Sequence, residues 1–267
     1  MIPDCDFLKL CREAFKAAAD ATCDLVGTKA ASNFICMGAD GTPTVEIDVA
    51  AEKAILEVLK ASGRPMRVLS EEMGELAIGD VPEFIVILDP LDGTYNASVG
   101  IPFYNVSIAF AAPDLSELYF GYVSNLAARE EYYAQAGKGA YLNGEAIETS
   151  KRQNLKELCV SVYGYRGNVE KVKKLYSSIR RARLFGSVAL ELCYVGSGKL
   201  DAFIDVRNAL RVTDIAAGSL ILKEAGGLVT DGLGNPIRLP NNVVSRIEMV
   251  ASNGHVHGEL LKLLSGE

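Results

Sequence analysis

The sequence predicts a layered α/β sandwich, with N-terminal helices on a largely antiparallel sheet and a C-terminal half of alternating strands and helices. Three observations predict it. Residues 4–63 hold two helix-like stretches. Residues 104–147 then run through strand-like segments and a hairpin signal with no helix between them. From about residue 150 the two patterns alternate, the mark of a sheet crossed by helices.

The elements follow in order. Asp4 to Val26 places Phe7, Leu8, Cys11, Phe15, Ala18, Ala19 and Thr22 on one helical stripe, with Gly27 as the stop. TKAASNFICMGADGTPT, residues 28–44, reads as a long loop ending in turn chemistry. Asp48 stands just ahead of AAEKAILEVL, where a carboxylate can cap a second helix ending near Gly63. Met66 to Leu69 reads as a strand running into Ser70, Glu71 and Glu72, and Phe84 to Leu88 as a buried strand of five apolar residues. YNVSIAFAA, ELYFGYVSN and EEYYAQA resemble consecutive strands, and Asn143-Gly144 is a hairpin turn. The polar stretch Ser150 to Asn154 suggests a boundary between halves 1–150 and 151–267. Beyond it CVSVY, NVEKVKKLYSSI, ARLF, SVALELCYVGSG, LDAFID and VTDIAAGSLILKEAGG alternate strand with helix.

Composition narrows the function. A chain of 267 residues with 49% hydrophobic and 23% charged residues can bury a large core and is not disordered. Its formal net charge of −7 disfavours nucleic acid and anionic membranes as partners. MIPDCDFLKL has acids where a signal peptide needs basic residues, and no apolar run is long enough to span a membrane, so a cytoplasmic protein is expected. Six scattered cysteines without a Cys-x-x-Cys read as buried small apolar residues in a reducing compartment. Only His255 and His257 occur, which argues against a histidine-rich zinc site and a Ser-His-Asp triad.

Chemistry concentrates at the ends of elements. Glu71 and Asp89 each follow a strand, and Asp92 and Asp214 each open a helix-like stretch. Crowded carboxylates repel unless a cation lies between them, and Mg²⁺ prefers a few carboxylates together with substrate phosphate. A carboxylate such as Asp89 can bridge two ions. Pro90 stiffens the turn and lets the Leu91 carbonyl join the same donor set. Gly93 and Thr94 start a short helix whose free amides suit a phosphate.

LSEE (Leu69–Glu72), LDPLDGT (Leu88–Thr94) and VTDIAAGSLILKEAGG (Val212–Gly227) together resemble the inositol monophosphatase family, within the lithium-sensitive sugar phosphatases. GADGTPTVEID and RLFGSVALEL look most like its archaeal members, described as dual fructose-1,6-bisphosphatase and inositol monophosphatase enzymes. The resemblance implies an αβαβα sandwich, a homodimer, and two or three Mg²⁺ ions, with Mn²⁺ as a substitute. It implies hydrolysis of a small phosphorylated metabolite by a metal-activated water, with no covalent enzyme intermediate. It makes Glu71, Asp89 and the Leu91 carbonyl ligands of one ion, and Asp89, Asp92 and Asp214 ligands of another. Glu71 and the pair Thr94 and Asp48 would serve catalysis, and Asp92 and the Gly93 and Thr94 amides would hold phosphate. Gly186, Ser187 and Val188 match a substrate-contacting turn, and Asp205 matches a ligand of sugar hydroxyls.

One departure bears on selectivity. The Asp205 to Asp214 segment is longer than in the animal inositol phosphatases and contains Arg207 and Arg211. Arg183 and Arg207 are the expected contacts for a second, distant phosphate. The 28–44 loop is expected to act as a flap, with Asp40 within reach of an additional ion. A haloacid-dehalogenase reading fails because that family puts one residue between its aspartates, where this chain has two. A non-catalytic binding protein of the same fold is the remaining alternative.

Overall fold

A computed structural model describes residues 5–266. Helix α1 (Phe7–Thr22) is capped by Asp6, whose carboxylate accepts the Lys9 N–H at 3.0 Å. The expected loop that follows instead contains a hairpin, β1 (Phe34–Met37) and β2 (Pro43–Val45). Helix α2 (Glu46–Ala61) starts earlier than expected, so Asp48 lies inside its first turn, where its Oδ2 accepts the Val45 N–H at 3.3 Å. Next come β3 (Met66–Ser70), β4 (Gly74–Ile78), β5 (Phe84–Asp92) and the short α3 (Thr94–Val99). Strands β6 (Asn105–Ala111), β7 (Leu118–Asn125), β8 (Glu130–Gln135), β9 (Ala140–Leu142) and β10 (Glu145–Ile147) form the expected meander. Asn143 and Gly144 both have positive φ, as a tight hairpin turn requires.

The C-terminal part alternates β11 (Cys159–Tyr163), α4 (Val169–Ser178), β12 (Arg181–Arg183), α5 (Val188–Gly196), β13 (Ala202–Leu210), α6 (Val212–Glu224), β14 (Leu228–Thr230), β15 (Ile247–Ser252) and α7 (His257–Ser265). The eight-stranded sheet has the order β10-β9-β8-β7-β6-β5-β3-β4 and is antiparallel except for the β3–β5 pair. The five-stranded sheet, β12-β11-β13-β15-β14, is mixed.

Strand alternation explains the layers. In β5, Phe84, Val86 and Leu88 face the core shared with α1 and α2, while Ile85 and Ile87 join Ala189, Leu190, Ala216 and Ala217 of α5 and α6. The other side of α5 and α6, including Leu192, Val195 and Leu222, packs with Phe203, Met249 and Ala251 of the second sheet. Val160, Val162, Ile204 and Val250 on its far face meet Val172 and Leu175 of α4 and Leu260 of α7. Five layers result, αβαβα. Helices α5 and α6 are sandwiched between sheets, so they lack a continuous polar face. A Cβ on Gly121 of β7 would lie 2.8 Å from the Ala217 carbonyl oxygen, so glycine sets this close approach of helix to sheet.

Cys11 and Cys193 are buried as expected, but Cys23 and Cys36 are exposed, and none of the six forms a disulfide. His257 is buried between the Ser252 and Thr230 hydroxyls, at 2.9 Å from each, and its role is structural. Among the described residues no helix is long and apolar enough to cross a membrane.

Candidate active site

The β3–β5 pair runs parallel with Ser70 opposite Leu88, so the residues that follow, Glu71 and Asp89, emerge side by side at the same sheet end. Strand β5 then continues past Asp89, contrary to the sequence expectation. Its pairing with β6 holds at Asp89 opposite Ser107, slips, and resumes at Asp92 opposite Asn105. Pro90 lies in that irregularity, where no regular ladder bond is required of it. Asp214 arrives from the first turn of α6. One oxygen each from Glu71, Asp89 and Asp214 lie within 4.8 Å of one another.

Burial, followed by the neighbouring acids, pushes the Asp89 carboxyl well above its ordinary range. Burial does the same for Glu71, with the charge of Arg211 opposing it. Asp89 Oδ1 accepts the Leu91 N–H at 3.0 Å, while Oδ2 is buried with no hydrogen-bond donor among the described residues. Buried carboxylate oxygens are rarely left so. An orphaned oxygen within a cluster of hard donors fits a divalent cation, and the residues present therefore suit the expected metal.

Asp92 is held differently. Its Oδ2 accepts from Asn105 Nδ2 at 3.0 Å, Ser187 Oγ at 2.9 Å and the Ala189 N–H at 2.8 Å, and its Oδ1 from the Val188 N–H at 3.2 Å. It thereby caps α5, and burial, with the charge of Asp214, raises its pKa to about 6. The expected Thr94–Asp48 pair is present: Thr94 Oγ1 donates to Asp48 Oδ1 at 2.9 Å and lies 3.1 Å from the Leu91 carbonyl. Burial raises Asp48 to about 6, against the Thr94 hydrogen bond. Gly93 has φ +97°, and a Cβ there would lie 2.9 Å from the Phe103 carbonyl oxygen. No other residue fits.

Glu71, Asp89, Leu91, Asp92, Gly93, Thr94 and Asp214 line a cavity of about 400 Å³ together with Gly186, Val188, Arg207, Arg211, Arg246, Tyr95, Tyr163, Tyr165 and Leu184, whereas Asp48 lies behind Thr94 and is not part of its wall. Ser187 is buried behind it on Asp92. The pairing of β13 with β15 breaks between Asp205 and Leu210, with Asn208 at positive φ, and this bulge carries Arg207 and Arg211 to the site. Asp205 is buried and clasped by Arg207, whose Nη2 lies 2.5 Å from Oδ2. The Arg207 guanidinium sits 4.6 Å from both the Tyr163 and Tyr165 ring centres, a double cation–π clamp. Arg183 is not brought to the cavity: it is exposed on edge strand β12 and its Nη1 bonds the Ala182 carbonyl.

The inositol monophosphatase family model matches residues 10–266. The chain belongs to the inositol monophosphatase family. A fructose-1,6-bisphosphatase/inositol-1-monophosphatase of Methanothermobacter thermautotrophicus is 44% identical over 91% of both chains. A bifunctional NADP phosphatase/NAD kinase of Methanococcus maripaludis is 37% identical over 96% of this chain, which spans 49% of that protein. Among solved structures, a Pyrococcus horikoshii protein with similarities to inositol-1 monophosphatase superposes with a TM-score of 0.84 at 32% identity, covering 97% of this chain and 96% of that one.

In this inositol monophosphatase family member, several cavity residues escape a motif reading. Arg246, Tyr163 and Tyr165 line the cavity from segments far along the chain from the acidic motifs at Glu71 and Asp89. Glu191 was findable. It is the one acid in an otherwise apolar SVALELCYVGS, and the structure buries it on Ser161 Oγ, Tyr163 OH at 2.5 Å and the Gly186 N–H at 3.0 Å. It thus holds the Gly186 turn, and burial lifts its pKa to about 7.

Proposed function

We propose that this phosphatase of the inositol monophosphatase family hydrolyses phosphate monoesters of small sugars or polyols, fructose 1,6-bisphosphate and inositol 1-phosphate foremost. Two or three Mg²⁺ ions, or Mn²⁺ in their place, would be held by Glu71, Asp89, the Leu91 carbonyl, Asp92 and Asp214. The observation that carries the reading is the convergence of Glu71, Asp89 and Asp214, with Asp89 Oδ2 buried and unpartnered. Bound there, the metal supplies Lewis-acid chemistry, acidifying water and neutralising charge on the phosphate.

The chain's own groups do the rest. Thr94 Oγ1 donates its proton to Asp48, which leaves a hydroxyl lone pair to accept from the attacking water and orient it. Glu71, beside it, would take up the water's proton. The Gly93 and Thr94 amides, at the start of α3, would receive the phosphate oxygens. Gly186 and Val188 would shape the sugar side of the cavity, with Ser187 fixing the turn through Asp92. Arg207 would read the remainder of the substrate as a fork for a second phosphate, while Asp205, buried beneath it and outside the cavity wall, would hold the Arg207 guanidinium in place rather than contact sugar hydroxyls itself. The half formed by residues 1–150 would supply most of the metal ligands, joined by Asp214 from the half formed by 151–267, which would otherwise select the substrate. We also propose a homodimer located in the cytoplasm. The non-catalytic reading is not favoured, because the relatives are named as enzymes and the acids of the site are all present.

A second reading, hydrolysis of the 2′-phosphate of NADP, is favoured by the similarity to the Methanococcus maripaludis protein and by the rings at the cavity mouth. Tyr95 is 74% exposed and Tyr165 40% exposed, and such faces stack on a nucleobase. Phosphate release from fructose 1,6-bisphosphate, inositol 1-phosphate and NADP, measured in EDTA and then with Mg²⁺, tests both. Release that ignores Mg²⁺, or none from any of the three, would overturn the proposal.

A further inference from the structure

We propose that Arg211 is an internal counter-ion that competes with divalent cations for the carboxylates of the active site and so sets how tightly metal is taken up. The inference rests on the metal reading above. Arg211 Nη1 pairs with Glu71 Oε1 and lies 2.8 Å from Asp40 Oδ2, while Nη2 lies 2.8 Å from Asp214 Oδ1 and Nε 3.0 Å from the same oxygen. Two of the three acids that converge as a metal cluster, Glu71 and Asp214, therefore already share one guanidinium. Each hydrogen bond from that fork occupies a lone pair that an ion would otherwise use, and a second positive charge within a few ångströms is repelled.

The exchange has a ready path. Asp40, in the turn of the β1–β2 hairpin, is buried, and its Oδ2 is shared between Arg211 and Arg246. When metal takes Glu71 and Asp214, the Arg211 side chain can retain Asp40 and give up the other two. Its backbone need not move, because the Arg211 N–H is fixed on Asp214 Oδ2 at 2.7 Å as part of the α6 start. The hairpin and the metal cluster are thus joined through one side chain. Arg211 is a positioning residue in this scheme, acting through the carboxylates.

Titration of free Mn²⁺ by electron paramagnetic resonance tests the competition on the full chain. Arg211→Gln should bind Mn²⁺ at least about tenfold more tightly than the parent, since removing a unit charge near 4 Å outweighs a tenfold step even at an effective dielectric of about 20. In EDTA the same variant should melt below the parent, and added Mn²⁺ should close the gap. Arg211→Lys, which keeps the charge but not the fork, should fall between the two, and it provides the reading if the Gln variant does not fold without metal. Equal or weaker Mn²⁺ binding by both variants overturns the proposal. So does equal tightening by Arg207→Ala, which removes a charge from the same cavity without touching Glu71 or Asp214. If neither the parent nor the Gln variant binds Mn²⁺, the metal reading fails with it. Binding unchanged by Arg211 leaves the metal reading standing and removes the competition alone.

Discussion

Asp89 and Asp92 are three residues apart on one strand and both are buried, yet the protein treats them in opposite ways. Asp92 accepts from two side chains and two backbone amides, so its charge is balanced by the fold. Asp89 receives one amide, and its second oxygen has no donor among the described residues. The difference shows how to sort buried carboxylates. One whose oxygens are supplied with donors from within is held in place by the fold before anything else binds; one left short of donors waits for something from outside.

Substitution to asparagine should separate the two. Asp89→Asn is expected to lower kcat/KM with Mg²⁺ by about 10³ or more, the scale of a lost electrostatic group. Its melting temperature in EDTA should equal or exceed the parent's, because a buried charge facing Glu71 disappears. Asp92→Asn should also lose activity, but here urea unfolding in EDTA should show a loss of about 1–3 kcal/mol, since an amide N–H would face the donors of α5. Similar stability changes in the two variants would break the comparison.

Glu191 extends it to a buried carboxylate that holds the Gly186 turn of the cavity. Its folded pKa of about 7 exceeds the ordinary 4.5, so between those values the native state holds a proton that the unfolded chain has released. Stability from this group is complete below pH 4.5 and declines as pH rises through 7, by an amount on the order of 3 kcal/mol. Glu191→Gln keeps an acceptor and removes the titration. The stability difference between parent and variant in EDTA should therefore fall across that window; a constant difference would show that Glu191 is ionised throughout.

The smallest effects concern the arginines. Arg207→Ala should raise KM for fructose 1,6-bisphosphate by the equivalent of about 1–3 kcal/mol, more than for inositol 1-phosphate. Arg183→Ala should leave both unchanged within about twofold, as expected of an exposed side chain on an edge strand. Equal changes on both substrates for Arg207 would remove it from the recognition of a second phosphate.

Much of this was legible in the sequence where local chemistry decides. The apolar run Phe84–Leu88, the Asn143-Gly144 turn and the predominantly apolar α5 and α6 each carry their own signal. The β1–β2 hairpin did not, because Phe34–Met37 is exposed throughout and shows no alternation of apolar and polar faces. The extension of β5 through Pro90 was hidden, since a bulge that tolerates proline is a property of two strands together. Asp48 was taken for a cap because a carboxylate in the first turn and one at the cap look alike in sequence. Arg183 was placed by its distance from Gly186 along the chain, whereas Arg246 and Tyr163 reach the cavity only through tertiary folding.

The helix layer shared by the two sheets has a consequence for dissecting the protein. A chain ended at residue 150 would lack α5 and α6, leaving Ile85, Ile87, Ala109 and Val123 facing water across a broad apolar surface. The complementary fragment would present Leu190, Cys193, Ala217 and Ile221 without a sheet to receive them. Each piece made alone should aggregate, and the two produced together should find one another. We propose the 150–154 link as the place to cut a split reporter built on this scaffold, since reassembly of the two pieces would rebuild this helix layer.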